Sequence, residues 1–323
     1  MIFARICSGQ ARDLDLFALA YNKWVGQLFR LLVLNRTVSL LLCNTLTQAS
    51  DTMISTVRMM TCWAGLLLMS LGVVTGSTVV QGTDCTEIKL FSPDASSGIY
   101  TIRPNGFNIS FQVKHFYCGL QVYCEMRNDG GWTVIQRRSG GKVSFNKNWQ
   151  KYKWGFGNIQ NDHWLGLAKI WGLTRSKQHK SVLRVDLWDF EGGSVYANYQ
   201  DFRIGGEKSA YKLHVGIYSG TAGDAIRGEY AGIDQNGYGF STYDRDNDGC
   251  SPCIFGDIAV NDCSAKMGGG WWFSRCGSAD LHGNWHSRGN NRGWASGLHW
   301  NTWRSPESYS AKATRMMVKT IEQ

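Results

Sequence analysis

Trp132-Thr133-Val134-Ile135-Gln136 alternates apolar and polar side chains, the period of a strand with one buried face. The period returns in Val182-Leu183-Arg184-Val185-Asp186-Leu187-Trp188 and in Tyr211-Lys212-Leu213-His214-Val215-Gly216-Ile217. Glycine turns such as Glu191-Gly192-Gly193 and Ile204-Gly205-Gly206 separate these segments, which predicts a meander of antiparallel strands. Between the first two lies 161–170, where Asp162 is placed to cap a short helix presenting Trp164, Leu167 and Ile170 along one side. The expected class is therefore α+β: an antiparallel sheet with short helices.

After Asp224 the alternation dissolves into a polar, glycine-rich, tryptophan-studded chain as far as Trp303. So long an irregular stretch carries a site as a rule, and it needs staples or a bound ion to hold it. Composition agrees: 323 residues, 43% hydrophobic, with 14 Trp and 38 Gly against only 4 Pro, suit glycine turns held between aromatic clusters.

Nothing before Thr83 shows this patterning. From Met53 the chain runs through Arg58 into an apolar stretch, Cys62 to Val74, and then Val74-Thr75-Gly76. That is the layout of a secretory signal peptide. The apolar run falls short of the roughly 20 residues of a transmembrane helix, so a membrane anchor is the weaker reading. Residues 53–76 are expected to be the signal peptide, residues 1–52 an over-extended N-terminus, and the mature chain to begin near Ser77. Six basic and three acidic side chains precede Ser77, so removing the leader lowers the formal charge from +9 to +6. The basic residues are scattered along the sequence, and no stripe of them suggests nucleic acid.

Seven cysteines follow the leader: Cys85, Cys118, Cys124, Cys250, Cys253, Cys263 and Cys276. In a secreted chain they read as disulfides. Cys250-Ser251-Pro252-Cys253 also has the spacing of a redox motif or half a zinc site. The odd total leaves one cysteine over, and Cys118 is the candidate for an intermolecular bridge to a second copy. Asn108-Ile109-Ser110 is an N-glycosylation sequon.

The strongest chemical signal is Asp244-Arg245-Asp246-Asn247-Asp248-Gly249. Carboxylates at alternate positions repel one another unless a cation neutralises them, and hard oxygen donors at that spacing suit calcium. An EF-hand needs glutamate at its twelfth position, which here is Phe255.

Read in order, several motifs resemble the fibrinogen C-terminal domain family. They are Asp84-Cys85, Val122 through Met126, Gly130 through Arg138, Phe145 through Trp149, Gly155-Phe156-Gly157, Trp164-Leu165-Gly166, Leu183 through Leu187, Phe240 through Asp244, Gly270 through Phe273 and Met316 through Lys319. The resemblance spans 82–323 and extends to ficolins, tachylectins, angiopoietins, tenascins and fibrinogen chains. It implies a fibrinogen C-terminal-like fold whose irregular C-terminal subdomain is stabilised by disulfides and calcium.

By that resemblance the disulfides fall on Cys85–Cys124 and Cys263–Cys276, loops worth roughly 4 and 3 kcal/mol by chain entropy. Calcium would be held by the side chains of Asp246 and Asp248 and by carbonyls near Cys250 and Pro252. The chain departs from the family in a longer connection to Cys263, which makes Cys250–Cys253 a candidate additional bridge. The acetyl-binding pocket of lectin-like members maps to Met267, Arg275, Cys276, Gly277, Trp294 and Ala295, with a cis peptide at Arg275-Cys276. Of that pocket's characteristic side chains only the alanine is retained. Fibrin-type knob binding needs an acid where this chain has Ala295.

Trp271, Trp272 and Trp300 are assigned to packing and Trp294 to a ligand. His282, His286 and His299 read as polar turn residues, since no nucleophile or acid is arranged around them. No catalytic constellation is present, so the chain is read as a non-enzyme. The leading expectation is a secreted, calcium-dependent, lectin-like protein of innate defence binding acetylated or other surface glycans. The alternative is a receptor-binding or matrix protein of angiopoietin or tenascin type, with a cell-surface protein as partner.

Overall fold

The computed structural model describes residues 82–104, 119–176, 178–229, 232–292 and 296–322. The leader, Asn108, Cys118, Trp294 and Ala295 lie outside them.

The central sheet has nine strands. Its main path runs β1 (Gly98–Ile102), β2 (Leu120–Arg127), β3 (Gly130–Arg138), β15 (Ala313–Glu322), β6 (His179–Trp188), β7 (Ser194–Tyr199) and β10 (Tyr218–Gly220). All of these pairings are antiparallel. The path is not a plain meander, because β15 inserts between β3 and β6, pairing with β6 along its whole length and with β3 from Thr314 to Val318. Its motif Met316 through Lys319 is thus sheet centre rather than a C-terminal tail. β4 (Phe156–Gly157) and β5 (His163–Trp164) branch off β3.

Alternation divides the sheet into two faces. Val122, Cys124, Leu183, Val185, Leu187, Ala197, Tyr199, Met316 and Val318 are buried on the core side. Trp132, Val134 and Met317 form a separate small cluster with Tyr123 and Val182. The register shifts between Met316, opposite Gln136, and Met317, opposite Val134, so Ile135 is the extra residue of a bulge. The bulge lets Ile135 and Gln136 both turn inward, with Gln136 Nε2 donating to Leu281 O (3.1 Å).

Helix α1 (Cys85–Phe91) is capped by Asp84, whose carboxylate accepts from Glu87 N. It is bonded to β2 through Cys85–Cys124 and packs on β3 at Gly131, where a Cβ would lie 1.9 Å from Cys85 O. Helix α2 is Trp149–Trp154 and α3 is Leu167–Thr174. The predicted helix over 161–170 is corrected here. His163 and Trp164 pair with β3 and β4 as a strand, and Leu165 N continues that pairing to Ile135 O (2.8 Å). The helix begins only after Gly166, whose φ of 113° no side chain tolerates well. Asp162 caps nothing; its Oδ1 accepts from Ser139 N and Oγ, both at 2.7 Å.

The strand expected over 211–217 is likewise reduced to β9 (Leu213–His214), paired with β8 (Arg203–Ile204). Beyond Asp224 the chain is largely irregular, broken by hairpin β11–β12 (Cys253–Phe255, Ile258–Val260), helix α4 (Cys263–Met267) and the pair β13–β14 (Ala279–Asp280, His299–Trp300). An aromatic knot joins this region to the sheet. The ring of His282 lies 4.8 to 5.5 Å from those of Phe145, Tyr152, Trp164 and Trp271.

His282 and His299 are therefore not exposed turn residues; both are buried, while His286 is partly exposed. His282 Nδ1 donates to Gly270 O (2.6 Å), and burial pushes the imidazole down to about 3. The neighbouring Asp280 carboxyl is pushed up to about 7 by burial. The signs oppose one another. Between about pH 4 and 7 folded Asp280 keeps a proton that the unfolded chain loses, so its contribution falls as pH rises. Between about pH 3 and 6.5 the unfolded chain binds a proton that folded His282 refuses, so stability rises with pH. The two cancel over the shared window. Asp280→Asn removes the falling half, and calorimetry from pH 4 to 6.5 should show the stability of that variant gaining on the parent by on the order of 1 kcal/mol per pH unit.

Candidate metal centre and the loops around it

The carboxylate cluster divides in the folded chain. Asp244 turns away: its Oδ1 accepts from Trp149 N and from Thr242 Oγ1, both at 2.8 Å, fastening the start of α2. Arg245 stacks on the Trp149 ring at 3.9 Å. Asn247 is tied to Phe240 O and Ser241 Oγ. That leaves Asp246 and Asp248, and the chain brings a third carboxylate to them. Oxygens of Asp246, Asp248 and Asp262 all lie within 4.8 Å of one another.

Asp262 was not among the residues singled out from sequence. It caps α4 by accepting from Ala265 N (2.9 Å), and the next residue, Cys263, donates its backbone N–H to Asp248 Oδ2 (2.7 Å). Asp248 Oδ1 accepts from Cys250 N (2.7 Å) and Asp246 Oδ1 from Asp248 N (3.0 Å). Desolvation pushes the Asp248 carboxyl up to about 6, with Asp246 and Asp262 adding repulsion and the Cys263 and Cys250 N–H groups opposing it. Converging, partly desolvated carboxylates with spare lone pairs fit a hard divalent cation.

Two disulfides clamp this loop. Cys250 is bonded to Cys253 and Cys263 to Cys276, with Cys250 Sγ 3.4 Å from Cys263 Sγ. Both cysteines of the Cys250-to-Cys253 motif are therefore oxidised, which leaves neither as a thiolate to hold zinc. Cys250 is buried and Pro252 exposed.

Of the residues mapped to an acetyl pocket, the four that are described do not gather at an open surface. Met267 is only 1% exposed and Cys276 is also buried. Gly277 is buried against Gln235, where a Cβ would meet Gln235 Nε2 at 2.1 Å. Arg275 is exposed. The Arg275–Cys276 peptide is not cis, contrary to expectation; among the described residues the cis bonds are Ser251–Pro252 and Ser305–Pro306. Cys276 instead adopts a φ of 60°, which redirects the chain without a cis bond. Trp271, Trp272 and Trp300 are core, as expected.

Large apolar side chains also reach solvent near the carboxylates in the chain. Hairpin β11–β12 carries Ile254 at 64% and Ile258 at 51% exposure, and Tyr243 precedes the acidic loop, half exposed. No helix among the described residues is long and apolar enough to cross a membrane.

Comparison with known proteins agrees with this architecture. Residues 81–321 match the model of the "fibrinogen beta and gamma chains, C-terminal globular domain". Rat Angiopoietin-1 is 37% identical over 226 residues, 70% of this chain and 40% of the relative. Mouse Fibrinogen C domain-containing protein 1 is 37% identical over 245 residues, 74% of this chain and 47% of the relative. This chain thus spans less than half the length of the curated relatives it matches. Among solved structures, the fibrinogen-like globe domain of human ANGPTL2 superposes with a TM-score of 0.61 at 37% identity, covering 73% of this chain and 98% of that one. A lamprey fibrin D-dimer, complexed with the peptide Gly-His-Arg-Pro-amide, gives 0.62 at 28% identity, covering 91% and 93%. The chain belongs to the fibrinogen C-terminal globular domain family.

Proposed function

We propose that this chain is a secreted, non-enzymatic recognition protein of angiopoietin type, which docks a cell-surface protein through loops that calcium holds in place. The observation that carries the reading is the pairing of Ile254 and Ile258, large apolar side chains exposed on a short hairpin, with the Asp246–Asp248–Asp262 cluster at its base. Exposed aliphatic side chains on a stapled hairpin suit a desolvated protein contact. A sugar pocket would need polar groups converging in a concavity, and the buried Met267 and Gly277 supply none. Similarity to Angiopoietin-1 and to ANGPTL2 supports the same reading. Secretion is supported by three disulfides among the described residues, since such bonds persist in oxidising compartments.

In the calcium-loaded state Asp246, Asp248 and Asp262 would hold the ion. The metal would supply charge neutralisation, and the hydrogen bonds that Asp248 accepts from Cys250 N and Cys263 N would relay that order to both disulfides.

The test is binding of the labelled full chain to intact cells, with Ile254→Asp/Ile258→Asp as the variant. Saturable binding that is abolished in the variant and by trypsin treatment of the cells supports the proposal. Binding that survives the variant and is competed by N-acetylglucosamine overturns it in favour of glycan recognition.

A further inference from the structure

The basic residues that look scattered in sequence converge in the fold. Alternation along the strands places Arg127 on β2, Arg137 on β3, Lys180 and Arg184 on β6, and Arg315 and Lys319 on β15 on the sheet face away from the main core, the face that carries Trp132, Val134 and Met317. Only Glu125 and Asp186 among the carboxylates of those strands share that face, with Asp129 and Asp201 at its margins.

These cations are held in place. Arg137 stacks on Tyr123 at 4.2 Å, Arg184 on Tyr196 at 4.1 Å, Lys319 on Trp132 at 4.7 Å and Arg315 against Trp188 at 5.4 Å. Such stacking restricts long side chains before any ligand arrives. A cavity of about 210 Å³ opens among Arg127, Arg184, Arg315, Asp186, Trp188 and Tyr196. Asp186 takes Arg184 Nε at 2.7 Å and Arg315 at 2.9 Å, and Glu125 takes Arg315 at 2.7 Å. Arg127 stands 3.6 Å from both Asp129 and Asp186, too far for a hydrogen bond. Arg315 Nε is buried with no partner among the described residues. Three guanidinium groups thus line the cavity with one carboxylate, Asp186, while Glu125 pairs with Arg315 from beside it, and donor capacity is left to spare.

We infer that this outer sheet face binds a linear anionic polysaccharide, and that one of its sulfate or carboxylate groups seats in the cavity formed by Arg127, Arg184 and Arg315. Cations on β2, β3, β15 and β6 cover three strand intervals, about 14 Å at roughly 4.8 Å each, more than a single small anion spans. A single-stranded nucleic acid would need free aromatic faces for its bases, whereas here the rings of Tyr123, Trp132 and Tyr196 are covered by the cations themselves. The inference concerns a different surface from the calcium loops and does not rest on their reading.

The test applies the full chain to immobilised heparin and to unsulfated dextran in 0.15 M NaCl. Expected is retention on heparin alone, a steep weakening of affinity with salt, and competition by millimolar inorganic sulfate. Arg127→Gln/Arg184→Gln should weaken heparin binding at least tenfold, while Lys208→Gln/Lys212→Gln, two exposed cations elsewhere, should not. Should the arginine pair fail to fold, Arg137→Gln/Lys319→Gln applies the same test on neighbouring strands. Equal loss in the control pair, undiminished binding in both face variants, or equally tight binding of duplex DNA would reduce the effect to net charge and overturn the inference.

Discussion

Truncating Trp272 to alanine should lower stability by about 3–5 kcal/mol and the thermal midpoint by roughly 6–20 °C for a domain of this size. The residue is 1% exposed and stands where the sheet meets the irregular C-terminal region. Its ring meets Phe240 edge-on at 5.0 Å and also touches Trp271 and Trp164. Its Nε1 donates to Tyr211 O at 2.8 Å. Alanine leaves a cavity bounded by rings that cannot collapse freely, and it strands a buried carbonyl. Trp272→Phe separates the two effects: it keeps most of the burial and loses only the donor, so about 1–3 kcal/mol should go. Trp154, more than a third exposed, is the contrast, and its alanine variant should melt close to the parent. Calorimetric midpoints for the three variants check the ranking; a Trp272→Ala protein melting within 2 °C of the parent would mean that the aromatic knot does not join the two regions.

The parts of this fold that could be read in advance are those in which one segment carries its own signal. β3 and β6 announce themselves by alternation, and β6 follows it from Val182 to Trp188. The insertion of β15 between them leaves no local trace, because a strand's place in a sheet depends on partners more than a hundred residues away. The helix expected over 161–170 failed for a different reason. Trp164, Leu167 and Ile170 do have helical spacing, yet Gly166 has a backbone conformation that separates Trp164 from the helix, and pairing with β3 captures Trp164 instead.

The site divides the same way. Asp246 and Asp248 stand out in the sequence because carboxylates at alternate positions repel one another, and the fold keeps their oxygens within 4.8 Å. Asp244 shares that spacing but is drawn off to α2, and Asp262 joins only because Cys263 N reaches Asp248. His282 looked like a turn residue in a polar, glycine-rich run. Only the assembled structure shows that rings contributed by separate stretches of chain enclose it.

Calcium should stabilise this chain strongly near neutral pH and weakly at pH 5. Without the ion, the folded state must hold Asp248 ionised against burial and against Asp246 and Asp262, which is why its carboxyl is pushed up to about 6. An unfolded aspartate titrates near 4, so between about pH 4 and 6 the folded chain retains a proton that the unfolded chain has released. Stability of the metal-free protein therefore falls as pH rises through that window. A bound divalent ion reverses the balance by making the ionised form the favoured one. At a hundredfold excess over Kd the linkage is worth about 2.7 kcal/mol, or roughly 5–10 °C in the thermal midpoint, at pH 7.4. At pH 5 protons compete for Asp248 and most of that shift should vanish. Asp248→Asn separates this account from simple salt effects: it should melt near or above the metal-free parent at pH 7.4, since it removes a destabilising charge while the amide oxygen can still accept from a backbone N–H, and it should lose most of the response to calcium. Magnesium at equal ionic strength gives the control, because its demand for a near-ideal octahedron is hard to meet with three fixed carboxylates. A calcium shift that is as large at pH 5 as at pH 7.4, or that persists in Asp248→Asn, would place the ion elsewhere on the molecule.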